Sequence, residues 1–144
     1  MEKSIVLVVE DLAEERFRAM ESAKGFNFKL IFAENLEDGE RLLEKFKEKI
    51  FGVVTDLHYQ SRVGWAKDKE SPNGLAMIAL CVDRGVRVAV CTDADHHCIS
   101  YLSYPVEIFE SHKNYGYSNI PVSTGKNWSE SFKMMLNIIR KVSI

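Results

Sequence analysis

The stretch Phe51-Gly52-Val53-Val54-Thr55-Asp56 decides how the chain is read. Four of its first five residues are apolar or β-branched, and it ends on a carboxylate. Such a run reads as a central parallel strand, buried on both faces. In an open α/β sheet, ligands bind outside the carboxyl ends of the strands, so Asp56 sits at a binding edge. Two other runs finish in polar groups: 5–9 in Glu10-Asp11, and 86–91 in Thr92. Three strand ends then gather Glu10, Asp11, Asp56 and Thr92 around one crevice. Clustered carboxylates repel unless a cation joins them. Mg2+ is the natural candidate, since it takes oxygen ligands and often uses one or two carboxylates.

Working outward, the apolar and helical patterns alternate. Strands are expected at 5–9, 28–33, 51–56, 86–91 and 120–124. Helices are expected at 13–24, 36–50, 75–84, 94–102 and 129–142. Gly25 and Gly85 are placed to end the first and third helices, and Asn35 to begin the second. Phe17, Met20 and Ala23 mark the apolar face of the first helix, and Phe132, Met135, Leu136, Ile139 and Val142 that of the fifth. This rhythm predicts an α/β fold: a doubly wound five-stranded parallel sheet, order 2-1-3-4-5, with helices on both faces. Pro121 suits an edge strand, which the fifth strand is in that order.

Two stretches break the rhythm, 57–73 and 103–119. Loops of such length in a compact domain are usually functional or disordered. Within the second, 106–109 suits a small extra strand. The two stretches carry Tyr59, Trp65, Tyr104, Phe109, Tyr115 and Tyr117. We expect them to lie side by side at the rim of the Asp56 site as a lid or docking surface. Trp65, Tyr104, Tyr115 and Tyr117 are its candidate partner contacts, because aromatic residues are enriched at interface cores. A small satellite core is the alternative.

A length of 144 residues suits one domain, 1–144, with a real core. The 46% hydrophobic and 28% charged content is that of a soluble globular protein. A net charge of -2 gives no basic footprint for nucleic acid, and no apolar run is long enough to span a membrane. The first apolar run meets Glu10-Asp11 at once, unlike a signal peptide. The three cysteines, Cys81, Cys91 and Cys98, lack CxxC spacing. They read as reduced core thiols, and the expected location is cytoplasmic.

At this point the residues resemble the receiver domain of two-component response regulators. Val9-Glu10-Asp11 is similar to the acidic pair after the first strand, and Asp56 stands where the phosphoacceptor aspartate does. Pro72-Asn73-Gly74-Leu75 resembles the turn into the third helix. Thr92 matches the switch hydroxyl, and Lys126 the lysine after the fifth strand. The resemblance implies phosphoryl transfer onto Asp56 with Mg2+. Asp11 and Asp56 would hold the metal, with the His58 backbone carbonyl as a further ligand and Glu10 in the second shell. Lys126 and Thr92 would contact the phosphoryl group. The implied partners are a histidine kinase or phosphotransfer protein and a downstream protein target, with no nucleic acid and no membrane. Beyond self-phosphorylation and autodephosphorylation, no enzyme activity is implied.

The sequence departs from the family in the two long stretches and at several positions. Asn127 follows the lysine where the family has proline. Asp93 follows Thr92 where a small residue is usual. Ser123 stands where an aromatic switch residue often does. Lys113 competes with Lys126 for the lysine role; the amphipathic helix after Lys126 favours it. Asp11 is also placed to cap the first helix, and Thr92 the fourth. Asp93, Asp95, His96, His97 and Cys98 look metal-like, yet adjacent helical histidines point about 100° apart, so a solvated helix start is preferred. We read the chain as a stand-alone receiver-like signalling protein. The alternatives are a phosphorylation-independent pseudo-receiver interaction module, and a small metal-dependent phosphohydrolase using Asp11, Asp56 and Asp93.

Overall fold

A computed structural model describes residues 2–64, 71–93 and 96–141, and the side chains of all of these except 96–101. The strands are β1 (Ile5–Val9), β2 (Lys29–Ala33), β3 (Ile50–Thr55), β4 (Arg87–Cys91) and β5 (Val122–Ser123). The helices are α1 (Ala13–Ala23), α2 (Leu36–Lys45), α3 (Asn73–Arg84), α4 (His96–Glu110) and α5 (Trp128–Leu136). The sheet is parallel throughout, in the order β2-β1-β3-β4-β5. It is the flavodoxin-like order that the alternating pattern predicts. Helices α1 and α5 pack together on one face, while α2, α3 and α4 pack in sequence on the other.

The centre of the sheet is β1 and β3, whose side chains are almost wholly buried. Continuous Val/Ile runs suit this place because both faces of each strand meet helices. Register matters for the site: Val9 pairs with Thr55, so Glu10 and Asp56 leave neighbouring strands at the same level. The Asp56 N–H still donates to the Val9 carbonyl, at 2.9 Å, which ties the two strand ends together.

Several helical expectations are corrected. Helix α1 buries Ala19 and Ala23, whereas Phe17 and Met20 are exposed. Small residues face the sheet there because α1 also packs against α5. Gly25 follows the end of α1 without a left-handed φ, while Gly85 caps α3 at φ 65° as expected. Helix α2 stops at Lys45, and Ile50 opens β3. Helix α5 buries Phe132 and Met135 as expected but ends at Leu136, which is exposed like Ile139, and Val142 lies outside the described residues. The fifth strand shortens to two residues, and Pro121 lies just before it.

The largest correction concerns 103–119. Helix α4 runs on through Pro105 to Glu110, so the expected strand at 106–109 is helix. Leu102 and Val106 are buried and Phe109 partly so, which is helical spacing. The helix accommodates Pro105 in its interior. A helix of this length rises about 22 Å, and it returns the chain to the opposite end of the sheet. There Asn114 approaches Gly85, and Tyr117 lies over Arg87, the first residue of β4. Tyr115 and Tyr117 are buried, edge to face at 5.4 Å. They join the hydrophobic core rather than a separate satellite core or a partner surface, far from Asp56. Of the described candidates for partner contact only Tyr104 is exposed; Trp65 lies outside the described residues.

Candidate functional site: an acidic centre at the strand ends

Asp56 follows β3 directly, and its carboxylate is held from both sides. The Leu57 N–H donates to Oδ1 at 2.7 Å. Lys126 Nζ lies 3.2 Å from Oδ2. The same ammonium donates to Glu10 Oε1 at 2.6 Å, and the Asp11 N–H donates to Glu10 Oε2 at 3.0 Å. Glu10, Asp11 and Asp56 each offer a carboxylate oxygen, and these atoms lie within 4.8 Å of one another. Glu10 is fully buried, Asp56 and Lys126 nearly so, and Asp11 is half-buried.

The turn after β3 is fixed by α3. Gly74 donates to the Leu57 carbonyl at 2.9 Å. A Cβ on Gly74 would overlap the Asp56 carbonyl oxygen and sit 2.7 Å from Leu57 Cα, so only glycine fits. Beyond the turn, the Gln60 and Ser61 carbonyls accept from the N–H groups of Leu36 and Glu37 at 3.1 and 2.8 Å. These are among the donors that a helix leaves open at its N-terminus. The first long loop thus leads from Asp56 to the start of α2. Asn35 caps that start by accepting from the Asp38 N–H at 2.8 Å.

Lys126 reaches the site through an unusual backbone. Its φ is 49°, a region that costs a non-glycine residue energy and is favoured only where the surroundings enforce it. Its N–H donates to the Thr92 carbonyl, and the Thr92 N–H to the Ser123 carbonyl, each at 2.9 Å. The buried Thr92 therefore ties the ends of β4 and β5 to the lysine. Asn127 caps α5 by accepting from the Glu130 N–H at 3.0 Å. The Lys126 ammonium lies 5.2 Å from the ring centre of buried Trp128. Lys113 is exposed at the far end of the sheet, beside Asn114.

The electrostatics follow from crowding. Burial, reinforced by the Asp56 carboxylate, pushes Glu10 up to about 8, against the opposing pull of Lys126. Burial pulls Lys126 down, but the carboxylates of Asp56 and Glu10 outweigh it and hold the ammonium above its ordinary value. One lysine cannot neutralise the acidic group, so near neutral pH the buried Glu10 carboxyl keeps its proton.

Other candidates fall elsewhere. Asp93 is exposed and does not belong to the acidic group. Asp11 does not cap α1, whose N-cap is Leu12, and Thr92 lies ahead of the described start of α4 at His96. Asp95 and the side chains of His96, His97 and Cys98 lie outside the described residues. The sequence reading missed Thr55 and Tyr59. The Thr55 hydroxyl donates to the Asp56 carbonyl at 2.8 Å and meets the Tyr59 hydroxyl at 2.8 Å. Tyr59, expected in the lid, is fully buried. Their spacing of four residues around Asp56 was the available signal.

Known structures share this architecture. A response regulator receiver domain protein from Clostridium thermocellum superposes with a TM-score of 0.63 at 11% identity, over 93% of this chain and 91% of that one. A signal receiver domain from Vibrio parahaemolyticus gives 0.58 at 15% identity, over 93% and 87%. A de novo designed Rossmann 2x3 fold protein gives 0.57 at 12% identity, over 94% and 90%. The chain has the flavodoxin-like fold that receiver domains have. A designed protein superposes almost as well, so what the chain does must be argued from its site. No family model matches the chain, and no curated protein does. No helix among the described residues is long and apolar enough to cross a membrane.

Proposed function

We propose that this chain is a receiver-like signalling module that accepts a phosphoryl group on Asp56 and acts through a partner protein. The observation that carries the reading is the setting of Asp56: its carboxylate lies 3.2 Å from the Lys126 ammonium and in one acidic group with Glu10 and Asp11. Carboxylates act as nucleophiles in covalent catalysis. Phosphoryl transfer depends mainly on positioning and on neutralising charge.

The acidic group fits Mg2+. Its donors are all oxygens, three side chains supply them, and their charge exceeds what Lys126 cancels. Asp11 and Asp56 would hold the ion, with the His58 carbonyl as a further ligand and Glu10 behind them. When bound, it would neutralise charge on the incoming phosphoryl group. An Asp56 carboxylate oxygen forms the new bond to phosphorus, and the donor leaves with the electron pair of the bond that breaks. Lys126 pairs with the phosphoryl oxygens, and the Thr92 hydroxyl donates to one of them. The donor is a histidine kinase or phosphotransfer protein, and the response passes to a downstream protein.

The test is binding of beryllofluoride, a phosphoryl mimic, followed by 19F NMR. The reading expects a bound signal that needs Mg2+ and disappears in Asp56→Asn. Absence of the signal in the unmodified protein would favour a phosphorylation-independent interaction module.

A further inference from the structure

The Asp56–Leu57 peptide group has both ends engaged at the site. Its carbonyl oxygen accepts from the Thr55 hydroxyl at 2.8 Å. Its N–H donates to Asp56 Oδ1 at 2.7 Å. Thr55 has one hydroxyl hydrogen, and it is spent on that carbonyl. The 2.8 Å contact between Thr55 and Tyr59 must then run with the Tyr59 O–H as donor. Three hydrogen bonds thus form one directional chain: Tyr59 hydroxyl, Thr55 hydroxyl, Asp56–Leu57 peptide, Asp56 carboxylate. The Tyr59 end is itself pinned, since Asn73 Nδ2 donates to the Tyr59 carbonyl at 2.5 Å.

We propose that Tyr59 is a positioning residue for Asp56, acting through Thr55 to set the plane of the Asp56–Leu57 peptide and thereby the direction of the carboxylate. Linked hydrogen bonds polarise one another at low dielectric, so the Tyr59 hydroxyl both orients the Leu57 N–H and strengthens its bond to Oδ1. The carboxylate is then confined to one orientation, with Oδ2 turned to Lys126. That confinement is what a nucleophile needs before attack. The catalytic consequence rests on the phosphoacceptor reading above; the peptide clamp itself does not.

Two measurements separate these. In 1H–15N spectra of the metal-free protein, Tyr59→Phe removes one hydrogen and keeps the ring, and the Leu57 amide proton should move upfield. Thr55→Val should move it as far or further, and the double variant no further than Thr55→Val alone, because both act through one chain. Thr55→Ser should restore the unmodified position. With acetyl phosphate, Tyr59→Phe should phosphorylate about fivefold more slowly, as loss of one hydrogen bond implies, with unchanged half-saturation by the donor. An unmoved Leu57 amide in a folded Tyr59→Phe protein, or additive shifts in the double variant, would overturn the proposal. A moved amide in a protein that acetyl phosphate never modifies would uphold the clamp and sink the phosphoacceptor reading instead.

Discussion

Lys126 and Glu10 stand 116 residues apart and meet at 2.6 Å, in a site where Glu10 is fully buried. The ammonium also reaches Asp56, so it closes the acidic group from the β5 side. A single cation serving several buried acids leaves the site short of positive charge, and that deficit determines how the site should respond to protons and to metal.

The first response is in stability. Glu10 binds its proton more tightly in the folded chain, with its value raised from 4.5 to about 8. Between those values the folded state holds more protons than the unfolded one, so stability falls as pH rises through the window. Lys126 is also raised, from 10.5, and its contribution stays constant below that value. Urea unfolding of the metal-free protein should therefore show a loss of roughly 1–3 kcal/mol between about pH 5 and pH 8. Glu10→Gln should flatten the profile. A profile equally steep in that variant would assign the effect elsewhere.

Metal binding should run the opposite way. Mg2+ requires ionised ligands, and the retained proton competes with it. Affinity should climb with pH, by up to about tenfold per unit below the Glu10 value, and level off above about 8. Calorimetry in buffers of different ionisation heat should detect proton release near pH 7 and none in Glu10→Gln. Equal affinity across the range would show that the Glu10 proton does not oppose the metal.

Trp128 offers an optical reading of the same site. Its ring lies 5.2 Å from the Lys126 ammonium and is buried. The chain has two tryptophans, so Trp65→Phe isolates it. Adding Mg2+ or beryllofluoride redraws the charges that Lys126 faces, and Trp128 emission should change saturably. In Lys126→Met the change should be greatly reduced.

Gly74→Ala tests the turn. The added methyl overlaps the Asp56 carbonyl, and the backbone must shift to admit it. Such overpacking costs about 1–3 kcal/mol. Because the displaced atoms belong to Asp56 and Leu57, Mg2+ affinity should fall along with the urea midpoint. Full affinity in the variant would mean that the turn is not what orients Asp56.

Much of this arrangement was legible in the chain. The run ending in Asp56 reads as a buried parallel strand because Val53 and Val54 are apolar without alternation. Glu10 and Asp11 terminate a similar run, so all three acids fall on one edge. Lys126 could be preferred to Lys113 from the helix that follows it. What was not legible depends on long-range packing. Pro105 looks like a break in sequence, yet helix α4 carries through it and moves Tyr115 and Tyr117 to the opposite end of the sheet. Aromatic residues in an irregular stretch look like a surface until the geometry closes them over Arg87. On α1 the expected apolar face holds at Ala23 but not at Phe17 and Met20, which are exposed while Ala19 is buried. Tyr59 reads as part of a lid because a hydroxyl's partner is invisible until the turn is folded.

The claim on which the account depends is that Asp56 takes a phosphoryl group. Intact mass should be measured after incubation with acetyl phosphate, with and without Mg2+, for the unmodified protein and Asp56→Asn. An added mass of one phosphoryl group is expected, which requires Mg2+, is lost in Asp56→Asn, and appears much more slowly in Lys126→Met. No added mass in the unmodified protein, or the same added mass in Asp56→Asn, would contradict it.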